Sequence, residues 1–381
     1  MSVTGARAWA GREDSSFTYA ALLILAAVDA AGYSVIAPVT TAIAAATGAG
    51  PATIGVLVAS FPLGIMLGFV VASAWVGRGR THAVLLLSLA VLAVGTAGFL
   101  LGSTLGSYFA ARLVMGLGSG GLWIGITFTT LERWPGQEYL CMSRIFAAYS
   151  VGGLLGPLLG ALGGVPAPFA AYLLAVIACG ALVVAMPRAR QPGRFATDRS
   201  VLWRPGLWVA SAGVLFAYLS LGLVEGVLPL HFASALSQGR IGVLLAAMSL
   251  FVAAASVLAA RVRPRHALTL AVAAVVAGIA LVGAASVVPL WVGGLAVAGF
   301  GIGAATTGSA GVLLEAVPTE RIVTAMMVWS QIGIAGYLVG PLTGGVVAQT
   351  LGYEALGGVA LAAGLAVFGV WMAGKRARSA T

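Results

Sequence analysis

Charge is what this chain lacks most. Of its 381 residues, 8% are Asp, Glu, Lys or Arg and 60% are apolar, with a mean hydropathy of +1.06. A water-soluble domain needs charge over its surface, so this balance excludes one and indicates an integral membrane protein. Cysteine is scarce too, at two residues. Cys141 falls in an expected cytoplasmic loop and Cys179 in an apolar helix, which suggests neither a disulfide framework nor a metal site. No nucleotide-binding glycine loop, metal-ligand spacing or nucleophile–base pattern is present. The expectation is a non-enzyme with no cofactor and no metal, and not an ATP-driven pump.

Long apolar runs are what the chain has instead. Asp29 to Arg78, Arg144 to Arg188 and His266 to Glu315 each enclose more than 40 uncharged residues. A spanning helix needs about 20, so each run holds two helices and an uncharged turn. Arg240 to Arg261 and Glu354 to Lys375 each fit one span. Twelve spans are predicted, at about 17–40, 52–75, 82–102, 106–131, 143–164, 167–187, 207–232, 240–260, 267–287, 290–314, 323–348 and 353–373. The first follows a polar segment with Glu13 and Asp14, is too long for a signal-peptide core and carries Asp29, so it is read as a retained helix. Residues 188–206 hold five Arg, one Asp and two Pro and read as a cytoplasmic linker between bundles at 1–187 and 207–381.

The net charge of +10 is not the footprint of a nucleic-acid partner. Eighteen of the twenty Lys and Arg lie at the termini or in every second loop; only Arg112 and Arg240 do not. That alternation is the positive-inside pattern and places both termini in the cytoplasm. The basic loops face anionic lipid. The expected partners are the bilayer, protons and a small-molecule substrate, and the expected state is a monomer in a bacterial plasma (inner) membrane.

The two halves repeat each other. Gly152-Gly153-Leu154-Leu155-Gly156-Pro157-Leu158-Leu159-Gly160 returns as Gly336-Tyr337-Leu338-Val339-Gly340-Pro341-Leu342-Thr343-Gly344, 184 positions later. Ile54-Gly55-Val56-Leu57 returns as Ile241-Gly242-Val243-Leu244, and each of those spans ends in a basic turn. Ser34-Val35-Ile36-Ala37-Pro38 pairs with Glu225-Gly226-Val227-Leu228-Pro229, and Leu131-Glu132 with Leu314-Glu315. Ordered landmarks of this kind indicate a six-plus-six duplication, an arrangement found in secondary transporters. The expected fold is all-α, with twelve transmembrane helices in two pseudo-symmetric six-helix bundles.

Over nearly its whole length the chain resembles the major facilitator superfamily, and within it the drug:proton antiporters. Gly152-x3-Gly156-Pro157-x2-Gly160 is similar to the antiporter motif of the fifth helix, with Ala161 in place of the usual second glycine. Arg112-x2-Met115-Gly116-x-Gly118 is similar to the arginine motif of the fourth helix, and Asp29-x2-Gly32-Tyr33-x4-Pro38 to that group's first helix. One departure stands out. The family's loop between helices 2 and 3 reads Gly-x-Leu-x-Asp-Arg-x-Gly-Arg; here the glycine, acid and first basic positions are Ala72, Val76 and Gly77. The acid that the family uses in a cytoplasmic latch is missing, and the usual gating contacts do not carry over.

Three charges sit inside predicted spans: Asp29, Arg112 and Glu225. A charge at a helix centre costs at least ~2.5 kcal/mol, so such residues face a cavity or each other. Asp29 and Glu225 are the candidate proton carriers, Glu225 the weaker because it is expected near the watery outer end of the seventh span. The alternative is a fixed Asp29–Arg112 pair that only locks the first and fourth spans. Helical spacing puts Arg112, Gly116, Ser119 and Trp123 on one face, and Asp29, Tyr33 and Ile36 on another. Asp29, Tyr33, Arg112, Ser119, Trp123 and Gln331 are the candidate cavity residues, with Thr306, Thr307, Trp329 and Tyr337 as further possibilities. His231 is expected to cap the seventh span. Gly152, Gly156 and Gly160, with Gly336, Gly340 and Gly344, form flat stripes for close packing, and Pro157 and Pro341 remove a backbone donor and bend their helices. The resemblance implies a proton-coupled exporter (antiporter) of small amphipathic compounds or drugs. The alternatives are an uptake carrier for a sugar or metabolite, and a non-transporting sensor on the same scaffold.

Overall fold

The computed structural model describes residues 12–76, 78–134, 137–187, 199–318 and 321–379. Among these it is all-helical, and twelve segments are long and apolar enough to cross a membrane. The helices are α1 (Arg12–Ser34), α2 (Ile36–Thr47), α3 (Pro51–Val76), α4 (Thr81–Leu101), α5 (Leu105–Arg133), α6 (Glu138–Gly160) and α7 (Pro166–Ala185). Then follow α8 (Pro205–Gly226), α9 (Leu228–Phe232), α10 (Gln238–Ala259), α11 (Pro264–Ala284), α12 (Val288–Ala316), α13 (Ile322–Leu351) and α14 (Leu356–Ser379). Of the expected linker, 188–198 lies outside the described residues and Arg199–Trp203 is one 3-10 turn.

Two spans are broken in the same way. The first is α1 plus α2, joined at Val35; the seventh is α8 plus α9, joined at Val227. Each break precedes a proline, Pro38 or Pro229, whose missing N–H leaves an upstream carbonyl without its helical donor. The first span also runs to Thr47, past the expected Thr40. It stops where Gly48 takes a left-handed φ of 70° and returns its N–H to the Ala44 carbonyl.

Two large buried cores divide the molecule, beside two smaller clusters, one on α8, α12 and α13 and one on α3, α4 and α5. Of the large cores, one gathers α1 to α7, with Tyr337 reaching in from α13; the other gathers α8 to α14, with Ala37 reaching in from α2. The glycine stripes bind helices inside each core. A Cβ at Gly152, Gly156 or Gly160 would run into the Ala27, Ala31 or Val35 carbonyl, so α6 lies flush on α1 and the start of α2. Gly336 and Gly340 meet the Leu215 and Leu219 carbonyls, seating α13 on α8 in the same manner. Backbones approach this closely only where side chains are absent.

At the distal end the two cores meet backbone to backbone, and on the proximal side Met327 of α13 packs against Ala72, Val76, Val84 and Ile124. Gly55 of α3 sits against the Pro341 carbonyl of α13, and Gly242 of α10 against the Pro157 carbonyl of α6. The repeated Ile-Gly-Val-Leu thus packs on the repeated Gly-Pro of the opposite half, twice. Two glutamines reinforce this distal end. Gln238 donates to the Gly160 and Gly164 carbonyls at 2.8 and 2.9 Å and accepts from the Gly164 N–H at 2.9 Å. Gln349 accepts from the Ala52 N–H at 3.0 Å. The opposite, proximal end is where α1 begins. There Tyr19 lies 5.3 Å from Trp134 and donates to the Cys141 carbonyl at 3.4 Å.

Candidate functional site

Arg112 shows best how the centre of the bundle is built. It is fully buried in α5, yet among the described residues it makes no ion pair with Asp29. The alternative, a locking pair with Asp29, is therefore not formed. The guanidinium donates instead to the backbone carbonyls of Gly32 at 2.8 Å and Tyr33 at 2.6 Å. Both belong to the last turn of α1, where carbonyls lack intrahelical donors. A cation at a helix C-terminus also complements its dipole. The break at Val35 thus creates the acceptors that hold the buried charge. The flat face of the guanidinium stacks on Phe61, 4.0 Å from the ring centre.

Gly32 serves a second purpose. A Cβ there would collide with the Tyr172 phenol of α7, so only glycine lets that ring dock on α1. The Tyr172 hydroxyl is buried with no partner. Asp29, one turn earlier, is 3% exposed. Its side chain is hydrogen-bonded by Ser119, while its Oδ1 has no partner.

Asp29 opens onto a central cavity of about 50 Å³ between the two cores. One wall is Tyr33, Ser119, Trp123, Phe146 and Tyr149; the facing wall is Tyr218, Trp329, Ser330, Ile334 and Tyr337. A second cavity of about 50 Å³ adjoins it toward the proximal end and shares Trp123, Phe146 and Ser330. Its remaining lining is apolar apart from Thr127, and includes Met142, Met326 and Met327. Each has room for a few waters, so a larger molecule enters only if the helices separate.

Other expected positions lie elsewhere. Arg112 is behind the wall rather than in it, and Gln331 is outside the lining, its Nε2 buried without a partner. Gly116 packs on the Phe61 carbonyl, and Ile36 belongs to the core beyond the break. Thr306 is spent on the Ile302 carbonyl of its own helix. His231 hydrogen-bonds the Ala285 carbonyl at 3.0 Å and stacks on Tyr353, so it finishes α11 rather than its own segment. Glu225 is not near water: it is 3% exposed and accepts from the Tyr337 hydroxyl at 2.9 Å. The Tyr337 ring in turn lies 4.1 Å from Tyr33, across the meeting of the cores.

Sequence reasoning missed Tyr149, Tyr218, Phe146 and Ser330. A tyrosine in an apolar helix looks like packing. Tyr218 did carry a signal, since it precedes Glu225 by seven residues and shares its helix face. No group of three or more His, Cys, Asp or Glu able to hold a metal exists among the described residues.

Residues 22–212 match the family profile described as Major Facilitator Superfamily. No curated protein matches the chain by sequence. Among solved structures, a bacterial homolog of the human lysosomal transporter Spinster, in an inward-facing and occupied conformation, superposes with a TM-score of 0.74. It is 16% identical, over 94% of this chain and 91% of that one. The human organic anion transporter MFSD10 (TETRAN) follows at 0.67, with 17% identity over 93% and 99% of the two chains. The nucleoside transporter NupG gives 0.70, with 12% identity over 93% and 98%. At such identities the likeness is one of fold.

Proposed function

The chain belongs to the Major Facilitator Superfamily and is a membrane transporter, and from that premise we propose that it is a proton-coupled exporter of small amphipathic organic compounds. The observation that carries the proposal is Asp29: a buried carboxylate with an unpartnered oxygen, lining a cavity between the two cores. A carboxyl group held in such a cavity is placed to take up and release a proton. Proton and substrate then compete for one site, and exchange follows from unequal binding to two conformations.

Alternating access supplies those conformations. With α1 beginning in the cytoplasm, the distal glycine and glutamine contacts close the outer side, and separation of the helices at the proximal end would open the cavities inward. Export is favoured over uptake by the antiporter-like glycine motif, and a sugar carrier would want more polar side chains than this lining offers. One proton moving through 100 mV provides about 2.3 kcal/mol, roughly a fifty-fold concentration ratio.

The test begins with a panel of toxic compounds in a pump-deficient host, followed by pH-gradient-driven uptake into inverted vesicles. Asp29→Asn keeps the side-chain size and removes the titration. It is expected to abolish uphill transport and substrate-dependent proton release. Unchanged coupling in that variant would remove Asp29 as the carrier.

A further inference from the structure

We propose that Tyr172 is a positioning residue for Asp29: its hydroxyl joins the Arg112 Nε–H to the Asp29 Oδ1 when that carboxyl is ionised. This adds a group on α7 to the proton-site reading of Asp29 and rests on that reading.

Three buried polar atoms around the last turns of α1 have no hydrogen-bond partner: the Asp29 Oδ1, the Tyr172 hydroxyl and the Arg112 Nε. A buried donor or acceptor left unpaired is costly, so such atoms rarely gather without a reason. These three are complementary. A guanidinium N–H only donates, a carboxylate oxygen only accepts, and a phenol hydroxyl does both. One chain, from the Nε–H to the Tyr172 oxygen and from its O–H to Oδ1, satisfies all of them. No proton crosses it, since the tyrosine keeps its own and the guanidinium stays charged.

Gly32 brings the parts together. Its carbonyl accepts from Arg112 at 2.8 Å, and the Tyr172 phenol lies where a Cβ of this residue would be. Asp29 is three residues earlier, on the same side of α1. On α7, Tyr172, Val176 and Cys179 share one face, each at most 1% exposed. The Asp29 charge acts on Tyr172 and Cys179, and the Arg112 charge acts on Tyr172. The other titratable groups near the acid are engaged or face elsewhere. Cys179 is a weak donor. Tyr149 of α6 and Tyr218 of α8 open onto the cavity, and Tyr337 of α13 donates to Glu225. Tyr33, on α1 itself, turns its ring to Phe61 and Tyr337.

The link reaches further than the acid. Arg112 holds the carbonyls of the last turn of α1, just before the break at Val35. A chain of hydrogen bonds through Tyr172 therefore carries the ionisation of Asp29 to the point where the first span bends.

The experiment titrates the full-length protein in lipid by infrared spectroscopy. The carbonyl stretch of the protonated acid is the band that Asp29→Asn removes, and its midpoint is followed with pH. Tyr172→Phe keeps the ring and removes the hydroxyl. A hydrogen bond to a carboxylate favours the ionised form, so its loss should move the midpoint upward by about one pH unit, a tenfold gain in proton affinity. Melting at low pH, where the acid is protonated, should be unchanged. Gly32→Ala displaces the phenol and should give the same shift, with none added in the double variant; where it does not fold, Tyr172→Phe decides alone. Cys179→Ala should leave the midpoint in place. An unmoved midpoint in Tyr172→Phe, an equal shift from Cys179→Ala, or the absence of any titrating band that Asp29→Asn removes overturns the proposal. A shifted midpoint with coupled uptake intact in Asp29→Asn would sink the antiport reading and leave the link standing; coupling lost in Asp29→Asn with an unmoved midpoint in Tyr172→Phe would do the reverse.

Discussion

Gly156 and Gly153 are three positions apart on one helix, yet replacing them should have opposite consequences. A Cβ at Gly156 would meet the Ala31 carbonyl oxygen at 2.6 Å and the Val35 nitrogen at 3.0 Å, besides the Ser34 hydroxyl. Two of these are backbone atoms and cannot swing aside. At Gly153 a Cβ would meet nothing within 4 Å. Overpacking a close contact costs roughly 1–3 kcal/mol. Gly156→Ala should incur that cost and Gly156→Leu more, while Gly153→Ala and Gly153→Leu should be near neutral. The strain falls on α1 at the turn whose carbonyls hold Arg112, just past Asp29. If it falls on one of two conformations only, the equilibrium between them moves roughly 5- to 150-fold. Thermal unfolding in detergent reads the stability, and pH-driven vesicle uptake reads the transport. Gly156→Leu is expected to cripple transport, and Gly153→Leu to retain it. Parental uptake and melting in Gly156→Leu would refute the packing argument, and equal damage from Gly153→Leu would show that the helix face is misassigned.

Two further outcomes follow from the same geometry. Gly55→Leu and Gly242→Leu place a side chain against the Pro341 and Pro157 carbonyls of the opposite half; each should raise the reactivity of a cysteine placed at Ser330 toward a membrane-impermeant thiol reagent added outside, and unaltered reactivity would show that these contacts do not close the distal end. Single cysteines at 45–50 and 102–105 should label from outside intact cells while sites at 190–200 stay protected; labelling at 190–200 would overturn the cytoplasmic placement of the termini.

The spans were legible because hydrocarbon tolerates so little charge. Runs bounded by Asp29, Arg78, Arg144 and Arg188 leave few ways to place helices. The glycine stripes were legible because a four-residue period puts small residues on one face. What stayed hidden involves atoms that every residue shares. Arg112 was expected on the cavity wall, with a pair to Asp29 as the alternative; it holds two backbone carbonyls released by a helix break. The Gly55 and Gly242 contacts are with carbonyls too, and the residue letters do not say which carbonyl a glycine will meet. Gln238 and Gln349 were invisible for a different reason. An amide at a helix end carries no burial signal until the other half supplies its partner.

Glu225 was expected in a wet position, and its burial changes what its removal should do. Asp29 has a free oxygen on the cavity; Glu225 is paired with Tyr337 and outside the lining. Glu225→Gln keeps a carbonyl oxygen to accept from the Tyr337 hydroxyl, so stability should hold and transport should fall only partly, or for some substrates. Tyr337→Phe is the harsher change. It leaves the buried carboxylate without its donor, a loss of about 1–3 kcal/mol. Its phenyl ring still packs on Tyr33, so the effect isolates the hydroxyl. If Glu225 anchors α8 to α13, Tyr337→Phe should lower the melting temperature, and adding Glu225→Gln should recover part of the loss, because a neutral amide is less costly to leave unpaired than a carboxylate. Melting curves of the three variants and vesicle uptake for each decide the matter. Complete loss of coupling in Glu225→Gln, with coupling intact in Asp29→Asn, would exchange the two acids' roles and make the Tyr337–Glu225 pair the proton site.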